Sequence, residues 1–196
     1  SWIDCNLISC GFFLFIPIMS ENTQQPNYFE FYELPIQFNP DQNAVKAKFY
    51  AFSKQYHPDF YANEGDEKQQ EVLELSTLNN KAYQTLSHAK KRLKYVLELK
   101  GIVETDEGYQ LPQSFLMEMM DVNEALMDLE FEPDAAKLAE VEKDIDLIEK
   151  QLEDELNHLV EAFDRHPDDS EKFLPAIKDI FYRQKYTARI RERLSK

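Results

Sequence analysis

The chain has 196 residues, with four Gly, nine Pro and a formal charge of −15. So few turn-forming residues exclude a β-rich fold and leave an all-helical chain of one or two domains. The negative charge excludes a phosphate-backbone binder, which needs a concentrated basic surface to release counterions. A basic protein partner is the better expectation. Charge is also uneven: residues 19–100 carry ten Lys or Arg against eleven Asp or Glu, residues 104–171 four against twenty-three, and residues 172–196 eight against two. A shift of this size near residue 101 predicts a domain boundary. The basic last segment is also suited to packing beside the acidic ones.

Residues 1–18 hold both cysteines, Cys5 and Cys10, and an apolar run over 11–18. That run is too short to span a bilayer and has no preceding Lys or Arg, so neither a membrane anchor nor a secretory signal is expected. Met19-Ser20-Glu21 reads as a natural start and residues 1–18 as a non-native extension, with a disordered polar arm up to residue 27. With no cysteine beyond residue 10, the folded part can hold no disulfide framework, thiolate metal cage or catalytic cysteine, and no cofactor is expected.

Residues 28–35 (YFEFYELP) supply aromatic bulk, as core or, less simply, as a ligand platform. Val45, Phe49, Phe52 and Tyr56 then recur at steps of four, three and four, one face of a helix whose start is readable in Asn39 as cap, Pro40 as first residue and Gln42 as capping-box partner. The helix is broken by Tyr56-His57-Pro58-Asp59. Pro58 cannot continue a helix and biases His57 toward extended backbone, so the chain must turn sharply here. Asp66 with Gln69 marks a second start, and Val72, Leu75, Asn79, Ala82, Tyr83 and Leu86 form the buried stripe of an antiparallel partner helix. Ser87 is suited to cap a third helix with an apolar face of Leu93, Val96 and Leu97, ended by Gly101.

Residues 102–111 form a linker, and Pro112 opens the second domain, 112–196. Three helices are expected there, over about 112–130, 133–165 and 170–194. The long middle one has a seam of Leu138, Val141, Ile145, Ile148, Leu152, Leu156, Leu159 and Phe163, whose steps of three and four imply a three-helix bundle. A second His-Pro-Asp run, His166 to Asp168, follows an acidic helix, and Asp168, Asp169 or Ser170 suit an ordinary cap for the last helix.

The helix after Pro112 carries two stripes. Phe115, Met119, Val122, Leu126 and Leu129 fall within an arc of about 80° and form the core face. Leu116, Met117, Met120 and Met127 lie on the other side among Asp121, Glu124 and Asp128. Two readings fit this second stripe: a helix set deep in the bundle or against the first domain, or a partner surface where adaptable Met side chains meet another protein and carboxylates select a basic one.

The sequence from the basic helix through His57-Pro58-Asp59 to Leu78-Asn79-Asn80-Lys81-Ala82-Tyr83 resembles a J-domain, the module by which Hsp40-type co-chaperones engage Hsp70 ATPases. The resemblance implies a J-domain over 28–101, with His57, Pro58 and Asp59 as the loop that stimulates ATP hydrolysis and Lys46, Lys48 and Lys54 as the docking face. Asn79 departs from the family pattern, where an apolar residue is usual. Residues 115–126 (FLMEMMDVNEAL) are similar to the C-terminal domain of HscB-type co-chaperones of iron-sulfur cluster assembly. That likeness covers nearly everything from 28 to 194. It implies partners in an HscA-like Hsp70 chaperone and an IscU-like iron-sulfur scaffold protein, with Leu116, Met117, Met120, Asp121, Glu124, Asp128 and, from the last helix, Tyr182 as the scaffold-binding surface. Met120 and Asp121 stand where Leu and Glu are usual. The same resemblance implies a cytoplasmic protein that is not an enzyme. The alternatives are a J-protein for a different client, a helical adaptor without Hsp70 activity, and an enzyme using His57 and Asp59, for which no nucleophile, phosphate loop or third ligand is in place.

Overall fold

A computed structural model describes residues 25–104 and 108–195. The cysteines, the apolar run and the start at Met19 lie outside the described residues. Among those described there are only helices, turns and extended connections: α1 (Tyr28–Phe31), α2 (Gln42–Gln55), a 3-10 turn (Pro58–Tyr61), α3 (Asp66–Leu86), α4 (Ala89–Leu99), α5 (Gln113–Phe131), α6 (Ala135–Arg165), a 3-10 stretch (Pro167–Phe173) and α7 (Leu174–Leu194). No helix among them is long and apolar enough to cross a membrane.

Helix α2 lies antiparallel to α3, with Phe49 stacked on Tyr83 at 4.1 Å between ring centroids and Gln42 near the far end at Leu86. The helix starts differ from those expected. The cap of α2 is Asp41, whose carboxylate accepts from the Asn43 amide, and Asn39 and Pro40 remain in the preceding turn. Asp66 is already helical after Gly65, and the Gln69 side chain donates back to the Ala62 and Glu64 carbonyls. Ser87 does not cap α4; its hydroxyl donates to the Tyr83 carbonyl, and His88 holds the cap position without a side-chain bond. At the end of α4 Gly101 has φ +65, with Gly101 N–H bonded to the Glu98 carbonyl and Ile102 N–H to that of Leu97. This double bond pattern needs a left-handed residue. It turns Ile102 and Val103 back into the core, so the linker begins as packed apolar chain.

Helices α5, α6 and α7 form the bundle, with α6 antiparallel to the other two. Asp128 on α5 meets Lys137 at the start of α6, Arg191 on α7 meets Asp146 and Glu149 on α6, and Arg193 meets Glu130 on α5. The basic last helix thus lies against the acidic ones. Helix α7 starts at Leu174, later than expected, because the chain first runs as a 3-10 stretch with Asp169 outside helical backbone.

Helix α6 is shared between two apolar clusters. Its first half, Val141, Ile145, Ile148 and Leu152, packs with Phe115, Met119, Val122 and Leu126 of α5 and Ile180 and Ile190 of α7. Its second half, Val160 and Phe163, joins Leu174, Ile177 and Phe181 in a cluster with Phe29, Tyr32, Phe38, Val45, Leu86, Val96 and Leu97 of the N-terminal segment. The Asp164 carboxylate closes this joint by accepting the Phe38 and Asn39 amides at 2.9 and 2.8 Å. Burial pushes this carboxyl above its usual value, opposed by the two amide bonds and by Arg92. Arg92 is itself buried, donating to the Phe38 and Leu86 carbonyls.

Asn79, polar where an apolar residue is usual, is only 1% exposed and has every need met. It accepts from the Tyr32 hydroxyl at 2.8 Å and donates to the Phe49 carbonyl at 3.1 Å and to Ser53 Oγ at 3.0 Å, tying α1, α2 and α3 together. Burial raises the Tyr32 hydroxyl pKa well above its usual value. Removing one side of a buried polar pair costs more than removing both. Asn79→Ala should therefore lose about 1–3 kcal/mol in urea denaturation. Asn79→Leu combined with Tyr32→Phe should lose less than the sum of the two single changes; strict additivity would show that the network is not coupled.

Candidate functional site

The tip of the α2–α3 finger is built by its own letters. His57 has extended backbone (φ −73, ψ 124), as the following proline requires, and Pro58 opens the 3-10 turn. The Asp59 amide donates to His57 Nδ1 at 3.3 Å and the Phe60 amide to the His57 carbonyl at 3.1 Å. With Nδ1 accepting, the neutral ring carries its proton on Nε2. The Asp59 carboxylate lies 3.7 Å from the same nitrogen. The Tyr61 hydroxyl donates to the Gln55 carbonyl at 3.0 Å and pins the turn to the end of α2.

The His57 side chain is 52% exposed, and Asp59 more so. Neither is drawn into the protein's interior. The second His-Pro-Asp run folds otherwise: His166 ends α6 at φ −124, ψ 67, and its side chain caps nothing. Identical letters thus give a different turn, here followed by a buried Ser170.

Of the three lysines expected on the finger's basic face, Lys46 and Lys54 are exposed. Lys48 is half-buried, ion-paired with Glu33 and lying over the Phe52 ring. That pairing holds the Glu33 carboxyl below its usual range. Sequence reasoning missed Glu33 because its position depends on a left-handed backbone (φ 54) after α1, which no neighbouring glycine signals.

The second stripe of α5 is on the surface. Met117 and Met120 are 66% and 57% exposed, Leu116 is exposed beside them, and Asp121, Glu124 and Asp128 are exposed along the same face. This removes the reading of a helix set deep in the bundle. Met119, one residue from Met120, is fully buried. Asp128 is held toward α6 by Lys137 at 2.6 Å. Tyr182 on α7 has a different character: it is half-buried, stacked on Tyr109 at 4.4 Å, with Lys185 Nζ 5.3 Å from its ring centre. The Tyr109 hydroxyl donates to Asp179 at 2.8 Å, which ties the segment leading into α5 to α7.

Residues 111–195, from the residue before Pro112 through α7, match the family profile described as HSCB C-terminal oligomerisation domain. The "Co-chaperone protein HscB" of Proteus mirabilis (strain HI4320) is 32% identical over 113 residues, which is 57% of this chain and 65% of that protein. Residues 111–195 are thus similar to the C-terminal domain of HscB-type co-chaperones. The match spans just under two thirds of that relative's length. The fold is similar to the crystal structure of human co-chaperone protein HscB, with a TM-score of 0.64 and 24% identity over 88% of this chain and 82% of that one. It is also similar to chaperone HscB from Vibrio cholerae, with a TM-score of 0.54 and 26% identity over 87% of this chain and 96% of that one.

Sequence reasoning also missed large apolar residues near both surfaces. Phe60 and Leu73 stand exposed beside the finger tip, and Phe131 stands exposed at the last residue of α5. The exposure of Phe60 and Phe131 follows from where the 3-10 turn forms and where α5 ends, which the pattern of apolar residues does not mark.

An exposed stripe contributes little to folding. Changing Leu116, Met117 and Met120 together to Ser should move thermal stability by no more than about 0.5 kcal/mol per site, whereas Met119→Ser should cost several kcal/mol. Comparable losses for the two variants in a melting experiment would place the stripe in the core.

Proposed function

We propose that this protein is a co-chaperone that binds an iron-sulfur cluster scaffold protein and delivers it to an Hsp70-type chaperone in the cytoplasm, stimulating that chaperone's ATPase. It performs no chemistry of its own. The cluster on the scaffold is cargo, and the energetic work is differential binding to conformations of the Hsp70.

The observation that carries this reading is the pairing, in one chain similar to HscB co-chaperones, of an exposed His57-Pro58-Asp59 tip with an exposed Leu-Met stripe edged by carboxylates on α5. The tip suits contact with a partner because Pro58 and the Nδ1 bond restrict the directions in which His57 and Asp59 point, so less conformational freedom is lost on docking. Lys46 and Lys54 beside it supply a basic face for an acidic surface of the Hsp70, and Lys48 joins them only by leaving Glu33. On α5, Leu116, Met117 and Met120 provide desolvation, and Asp121, Glu124 and Asp128 select a scaffold with a basic edge. Tyr182 contributes from α7 as a ring already fixed by Tyr109 and Lys185.

Steady-state Hsp70 ATP turnover, measured with and without scaffold, separates the two halves. His57→Gln should abolish the stimulation and leave scaffold affinity unchanged. The triple change of Leu116, Met117 and Met120 to Ser should weaken scaffold binding by about a hundredfold or more, since each buried apolar side chain contributes about 1–3 kcal/mol, and leave scaffold-independent stimulation intact. Full stimulation by the His57→Gln protein would refute the first role. Undiminished scaffold affinity in the triple variant would refute the second.

A further inference from the structure

The α5 stripe is longer than the residues so far given a role. At 100° per residue, and with Leu116 as zero, Met127 falls at about 20°, Met120 at about 40°, Phe131 at about 60° and Met117 at about 100°. All five are exposed, Phe131 most of all at 88%. The apolar strip therefore runs along one line of the helix from its first turn to its last residue. Met117 to Phe131 spans about 21 Å.

The two edges of the strip differ. Glu124, Asp128 and Asp121, at about 80°, 120° and 140°, make one edge acidic. On the other edge Asn123 donates to the Tyr186 hydroxyl at 2.7 Å and Glu130 is ion-paired with Arg193 at 2.9 Å, so that edge is already satisfied within the bundle. At the Phe131 end the acidic edge is itself tempered, because Lys137 holds Asp128.

We propose that Met127 and Phe131 are contact residues for the partner assigned to α5 above, so that its footprint continues to the end of the helix. This rests on the proposed scaffold-binding function and narrows it. The partner presents apolar side chains along about 20 Å of surface with basic groups along one edge only, which fixes the direction in which it lies on α5. Contacts at the Asp121 and Glu124 end carry charge selection, and contacts at the Phe131 end are apolar. Charge disfavours an antiparallel second copy, because that face-to-face pairing would set the carboxylates of two identical strips on the same side.

The test is calorimetric titration of the full chain with purified scaffold protein at low and high salt, comparing Met120→Ser, Met127→Ser and Phe131→Ser, with sedimentation of each chain alone. Phe131 is exposed at a helix end, so its removal leaves the fold intact, which circular dichroism verifies. Phe131→Ser and Met127→Ser should each weaken binding by about tenfold, in the range of a well-packed interface residue. The Phe131 loss should be the same at both salt concentrations. Wild-type affinity in both, with Met120→Ser impaired, would overturn the extended footprint and leave the scaffold reading standing. Wild-type affinity in all three would overturn both. An unchanged scaffold affinity accompanied by a change in the mass of the chain alone would overturn the inference in favour of a second copy.

Discussion

The arrangement depends on a core that does not stop at the connection between α4 and α5. Val160, Phe163, Leu174, Ile177 and Phe181 are buried among Phe29, Tyr32, Phe38, Val45, Leu86 and Val96, so the N-terminal helices are completed by side chains from α6 and α7. Asp164 adds direction to this apolar contact. Its two oxygens take the amides of Phe38 and Asn39, the residues that lead into α2, while Arg92 holds the carbonyls of Phe38 and Leu86. Charged hydrogen bonds of this kind require closer geometry than oily contacts do. The result is one body bearing two exposed surfaces, a finger tip at His57 and a strip along α5.

Both surfaces are conventional in physical terms. The finger tip gains rigidity from a proline and from a histidine ring bonded to the next amide but one. The strip gains adaptability from methionines, and its carboxylates lie beside the apolar line instead of within the core. Among the acids of residues 104–171, Asp146, Glu149 and Glu130 face Arg191 and Arg193 across the bundle, and Asp121, Glu124 and Asp128 face outward along α5.

Much of this was legible in the sequence where periodicity is long. The two faces of α5 separate cleanly at 100° per residue, and Met119 and Met120 went to opposite sides as that spacing requires. Pro58 and Gly101 were legible because each allows only one kind of backbone. Helix caps were less so: Asn39 and Asp41 are near neighbours of similar capping ability, and the Ser87 hydroxyl is taken by the Tyr83 carbonyl one turn back, with His88 at the cap position. Asn79 looked like a packing flaw because its partners, Tyr32, Phe49 and Ser53, are distant in sequence. The division of α6 between two cores was hidden for a related reason. Leu138 to Phe163 reads as one uninterrupted seam, and nothing along it marks where the neighbouring helix changes.

The central claim is that one molecule must hold both partners at once. Its most direct test mixes two defective proteins, one carrying His57→Gln and the other Met120→Ser with Leu116→Ser, and measures scaffold-dependent Hsp70 ATP turnover. The account predicts that the mixture does no better than either protein alone, because the scaffold and the stimulating tip remain on different chains. Recovery of wild-type turnover by the mixture would contradict it.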